Sequence, residues 1–142
     1  MAHPKMIENL LEYSPQERVD YFVRYCADFK AVWGIVVEQD NWVIFKDTNF
    51  DEIFPVWPSE DIASACMFTE HEEMGATPQL IKLDSFLANC VPDMEEQNIS
   101  FGVFIDKQKT GLILKPTTLG NLLVSELDAL QVELPREFSG KR

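Results

Sequence analysis

The side chains whose types and spacing could do chemistry gather around His71. Glu70, Glu72 and Glu73 flank it, and Cys66 lies five residues earlier. Hydrolysis by a nucleophile needs a Ser, Thr or Cys beside a histidine that a carboxylate orients. The chain has two histidines, and His3 falls in a terminal stretch expected to fray. Three neighbouring carboxylates favour the protonated imidazole of His71, so the cluster reads as a charged surface loop, not a poised base. Neither HExxH nor paired CxxC spacing accompanies Cys66, and no metal site is expected. Paired carboxylates can serve as general acid and base only in a cleft that gives them unlike environments, and 24 acidic residues make chance pairs common. The six scattered glycines form neither GxGxxG nor a phosphate loop. No catalytic residue and no cofactor is therefore assigned.

Charge carries more information than any motif. Of the 24 acidic residues, 13 lie between Asp47 and Asp106, where Lys82 is the one basic residue. The remainder holds equal numbers of acids and bases, so the formal net charge of −12 belongs to this window. Such a field draws basic partners inward and repels nucleic acid and anionic membrane surfaces. A basic protein partner is expected, with no nucleic acid and no membrane.

With 142 residues and 46% hydrophobic content, one domain with an adequate core is expected, spanning residues 1–131, with a loose tail at 132–142. The longest apolar run, Ala31 to Val37, is too short to cross a bilayer and Gly34 interrupts it. The acidic first thirty residues lack a secretory pattern, which points to the cytoplasm. Cys26, Cys66 and Cys90 read as buried free thiols.

The elements that must position these residues follow from periodicity and turn chemistry. Met6, Ile7, Leu10 and Leu11 mark a short amphipathic helix. Ser14-Pro15-Gln16-Glu17 is a capping box that opens a helix over about 15–29, with Val19, Phe22, Val23 and Cys26 inward. Val32 to Val37 and Trp42 to Phe45 form a hairpin across Glu38-Gln39-Asp40-Asn41. Ile53 to Val56 adds a strand, and Pro55 and Pro58 should end pairing there. Ser59 caps a helix, residues 70–78 read as a loop, and Leu80 to Leu83 as a strand. Asp84 caps a helix bearing Phe86, Leu87 and Cys90 that Pro92 interrupts or ends. Ile99 to Ile105 and Leu112 to Leu114 form a second hairpin, and a leucine-faced helix covers about 117–130. The order implies an α+β fold: a single mixed, mainly antiparallel sheet of about five or six strands with helices packed on it.

Several segments, in order, are Glu17-Arg18-Val19-Asp20-Tyr21-Phe22, Val32-Trp33-Gly34, Pro55-Val56-Trp57-Pro58, Ile81-Lys82-Leu83-Asp84-Ser85-Phe86-Leu87 and Gly102-Val103-Phe104. Together they resemble the bacterial family known as domain of unknown function 2750, over about residues 15–130. The family pattern often has a tryptophan after the phenylalanine-leucine pair, where this chain has Asn89 or Cys90. The resemblance implies a fold and no catalytic residues.

The function expected is that of a non-catalytic protein-binding module, with a bacterial immunity protein that neutralises a basic toxin as the concrete form. The alternatives are a housekeeping adaptor whose acidity serves solubility, or a small hydrolase-like enzyme with a site near His71. Trp33, Trp42 and Trp57 are natural fillers of a small core. Trp57, between two prolines, could instead sit on a rigid exposed turn and anchor a partner. Glu60, Asp61 and Asp84 fall at helix starts, where backbone amides account for them. The partner-binding candidates are Glu70, Glu72, Glu73, Glu95, Glu96 and Trp57. The first three stand out because they would lie at the end of a helix, where the dipole opposes negative charge.

Overall fold

The computed structural model describes residues 4–38, 41–49 and 51–133, with side chains through Leu130. His3, the middle of the expected 38–41 turn and most of the expected tail lie outside them. Two helices come first, α1 (Pro4–Leu11) and α2 (Pro15–Phe29). The capping box is complete: the Glu17 amide donates to Ser14 Oγ at 3.2 Å and the Ser14 amide to Glu17 Oε1 at 2.9 Å. At its other end Lys30 takes a left-handed conformation that turns the chain into β1 (Ala31–Val37).

Among the described residues seven strands form two sheets, so the α+β class holds while the single sheet does not. In the first, β1 lies between β2 (Asn41–Trp42) and β5 (Thr77–Lys82), antiparallel to both. In the second, the order is β3 (Phe45–Lys46), β4 (Glu52–Val56), β6 (Ser100–Val103) and β7 (Leu112–Leu114), with β4 and β6 parallel. The expected β6–β7 hairpin is present; the first hairpin is present as β1–β2, but the strand expected over Trp42 to Phe45 divides, with Phe45 passing into β3 of the second sheet. The sheets meet where Trp33 and Trp57 exchange backbone hydrogen bonds, at 3.0 and 2.8 Å. Pairing thus continues through Pro55 to Trp57 rather than stopping. Strand amides two residues apart point the same way, so Pro55 lacks its N–H on the side Trp57 uses to reach Trp33. On that side β3 has already ended, at the Phe45–Ile53 pair, and no ladder bond is lost.

Ser59 caps α3 (Glu60–Cys66), accepting from the Ile62 amide at 3.3 Å. The expected loop at 70–78 is instead a short helix, α4 (Thr69–Glu73), followed by β5, which begins three residues before the expected strand. After β5 the chain stays helical through α5 (Leu83–Ser85), a π-helical turn (Phe86–Cys90) and α6 (Val91–Gln97). In an α-helical register the Pro92 ring would clash with the carbonyl four residues back. The wider π turn ahead of it lets the helix continue where the sequence suggested an interruption. The last helix, α7 (Pro116–Glu133), lies against α2 and α6. No helix among the described residues is long and apolar enough to cross a membrane. The core joins Phe22, Cys26, Val32, Phe54, Trp57, Phe86, Phe101, Phe104 and Leu119 from both sheets and the main helices.

Candidate protein-binding surface

Two of the five acidic residues singled out by sequence, Glu70 and Glu72, are engaged by lysines. Glu70 sits in the first turn of α4, where the dipole favours it, whereas Glu72 and Glu73 are the last two residues of this five-residue helix. Both engaging lysines come from the β6–β7 loop: Lys109 Nζ lies 2.7 Å from Glu70 Oε2, and Lys107 Nζ 2.9 Å from Glu72 Oε1. The hydrogen bond from Lys109 holds the Glu70 carboxyl below its ordinary range. Lys109 also stands over the rings of Phe45 and Phe68, at 5.4 and 5.0 Å. Glu73 is exposed beside them. Glu95 and Glu96 stand exposed on α6, a different helix, and Glu95 shares a small recess of about 60 Å³ with Lys115.

Three expectations are corrected at single residues. Trp57 is 0% exposed, and its indole Nε1–H donates to the Ile105 carbonyl oxygen at 2.9 Å, so it anchors the core and not a partner. The strand bridge to Trp33 draws it inward, while Trp42 is 37% exposed beside Phe54 instead of lying under a helix. His71 is held below its ordinary pKa, chiefly by burial; Glu70 pulls the other way and Lys109 adds to the lowering. The neutral imidazole is favoured, contrary to the expectation from its carboxylate neighbours. Burial pushes the Cys66 thiol up to about 12, which keeps it from acting as a thiolate near neutral pH.

The surface that does converge lies on α2, outside the acidic window. Its inner face buries Val19, Phe22, Val23, Cys26 and Ala27. Tyr21, Tyr25 and Phe29 follow one another at four-residue spacing on another face, where side chains one turn apart meet. The Tyr21 and Tyr25 rings stack at 5.5 Å between centroids, and Tyr25 and Phe29 at 4.5 Å. Phe29 is 61% exposed, far more than a phenyl ring needs for packing. On one side of this ladder a groove of about 580 Å³ opens between α2 and α7, closed by Tyr13, Glu126 and Leu130. Its charged lining is Glu17, Asp20, Asp28 and Glu126 against a single Arg24. On the other side Tyr25 and Phe29 wall a second recess of about 390 Å³ with Trp33, Leu80, Glu60 and Asp61.

The groove's carboxylates are unequally engaged. Glu17 accepts from the Ser14 amide and Asp20 from the Gln16 side chain at 3.1 Å. Asp28 and Glu126 form no ion pair among the described residues. Desolvation first, and then the neighbouring Tyr25 and Tyr13 for Tyr21 and the neighbouring Asp61 for Tyr25, raise the two phenols above 10.0, so both rings stay neutral donors at ordinary pH. Neutral electron-rich faces beside free carboxylates suit ammonium and guanidinium groups. The spacing of Tyr21, Tyr25 and Phe29 at intervals of four is visible in the sequence, but which face of α2 stays exposed depends on the sheets and on α7.

An acidic α+β domain with an aromatic groove and no assigned catalytic group is the class these features define. The chain belongs to the family described as protein of unknown function (DUF2750), whose pattern matches residues 19–123. That span contains most of α2, both sheets and the start of α7. No curated protein and no solved structure matches the chain.

Proposed function

We propose that this protein is a non-catalytic binding module that captures a basic segment of another protein in the groove between α2 and α7. A bacterial immunity protein acting on a cationic toxin is the concrete form. The observation that carries this reading is the stacked Tyr21–Tyr25–Phe29 ladder lying beside Asp28 and Glu126, two carboxylates without an internal cation among the described residues. Aromatic faces supply contact area at low entropic cost, and the net charge of −12 speeds the approach of a positive partner. The test is a fluorescence-anisotropy titration with a labelled, arginine- and leucine-rich amphipathic peptide. Binding should weaken as salt rises, and Tyr25→Ala combined with Asp28→Asn should weaken it by roughly tenfold. Equal affinity of variant and parent ends the reading. The immunity form predicts in addition that co-expression relieves growth inhibition by a cationic toxin encoded next to this gene, and that the double variant loses the relief.

A further inference from the structure

Two lysines, Lys30 directly after the ladder residue Phe29 and Lys82 at the end of β5, line one recess with leucines. Lys30 caps α2 and Lys82 ends β5, and the strands register so that Ala31 pairs with Lys82 while the Leu83 amide donates to the Lys30 carbonyl at 3.0 Å. Both lysines line a cavity of about 610 Å³ whose apolar wall is Leu83, Leu87 and Leu127. That volume lies within the roughly 300–1,000 Å³ of small-molecule sites. Lys30 and Lys82 line one recess in a chain with twice as many acids as bases. The one carboxylate in the lining, Asp84, already accepts from the Ser85 amide at 2.7 Å. Lys30 Nζ is partly engaged with the Ala27 carbonyl at 2.9 Å, whereas Lys82 has no ion pair among the described residues. Leu87 projects from the π-helical turn, a distortion that occurs often at functional sites.

We propose that this cavity binds an aliphatic carboxylate of medium chain length, its tail against Leu83, Leu87 and Leu127 and its head on Lys82, with Lys30 as second cation. The site is separate from the α2–α7 groove and does not depend on what that groove captures. A neutral alcohol of the same length would keep the apolar contact and lose the charged one. A cationic amphiphile would meet two like charges.

The test is isothermal titration of the full chain with decanoate, decan-1-ol and decyltrimethylammonium, each below its micelle concentration. Decanoate should bind about tenfold more tightly than decan-1-ol, the ammonium compound should not bind, and Lys82→Gln should bring decanoate down to the alcohol's affinity. Amide shift changes on decanoate addition should cluster around Leu83, Leu87 and Leu127. Lys82 is exposed, so its replacement leaves the fold intact, and thermal unfolding of the variant checks this. Equal affinity for decanoate and decan-1-ol, an unchanged affinity in Lys82→Gln, shifts centred on Tyr25, or no binding at all overturns the proposal.

Discussion

Arg18 is 5% exposed and ties the end of α1 and the β6–β7 connection to α2 through four acceptors. Nη1 donates to the carbonyls of Phe104 at 3.3 Å and Thr110 at 3.0 Å; Nη2 donates to the Leu11 carbonyl at 2.8 Å and to Asp106 Oδ2 at 3.4 Å. A planar fork with five donors can serve that many acceptors, and a single ammonium cannot. Arg18→Met should therefore destabilise by about 3–5 kcal/mol, because it strands buried carbonyls and the Asp106 charge, and Arg18→Lys should recover little of it. Urea unfolding measures both. Removing the indole donor with Trp57→Phe should cost about 1–3 kcal/mol by the same reasoning at one acceptor. Neither set of hydrogen bonds is legible in the sequence. Arg18 stands in an ordinary helical sequence, and three of its four partners lie some ninety residues away; Trp57 reads both as a core filler and, from its flanking prolines, as a surface turn, and nothing local names its Ile105 acceptor.

Elements whose signals are local were read well, and those set by distant partners were not. The Ser14 box fixes the start of α2 by itself, and Ser14→Ala should lower stability by about 1 kcal/mol in a thermal melt. The two hairpins, the Ser59 cap and the final helix likewise follow from residues within each segment. At five residues, α4 is too short to show a helical period, and Lys107 and Lys109, more than thirty residues on, supply its counter-charges. The acidic run therefore read as unpaired. Because these pairs are solvent-exposed, Glu70→Gln should change stability by less than about 1 kcal/mol, a difference that high salt erases. The aromatic ladder was legible and overlooked, since its spacing is regular but its exposure depends on which face of α2 the sheets cover.

For the whole molecule, the buried thiols set an alkaline limit. Cys26 is raised well above its ordinary 9.0 by burial, and Cys66 is raised to about 12. Below 9 these thiols are protonated in the folded and the unfolded chain alike, so their contribution is complete. Between 9 and about 12 the unfolded chain releases protons that the folded chain keeps. Stability must then fall as pH rises, by up to about 1.4 kcal/mol per pH unit for each thiol. The raised Tyr21 and Tyr25 phenols add to the fall above 10. Urea midpoints at pH 8, 9, 10 and 11 should trace this decline, and Cys66→Val should flatten it; an unaltered slope in that variant counts against the assignment.

The seam between the two sheets has a consequence for how the molecule opens. Trp33 and Trp57 are joined by a reciprocal pair of backbone hydrogen bonds, and Trp33 also walls the recess beside Tyr25 and Phe29. If the sheets come apart as one cooperative unit, these two amides exchange with solvent deuterium at the slowest rate in the protein and at the same rate as each other. Faster exchange there than at β6 would mean that the first sheet detaches with the aromatic surface while the second persists. A partner seated against Tyr25, Phe29 and Trp33 would then slow that detachment, and the two protons would register its arrival from inside the fold.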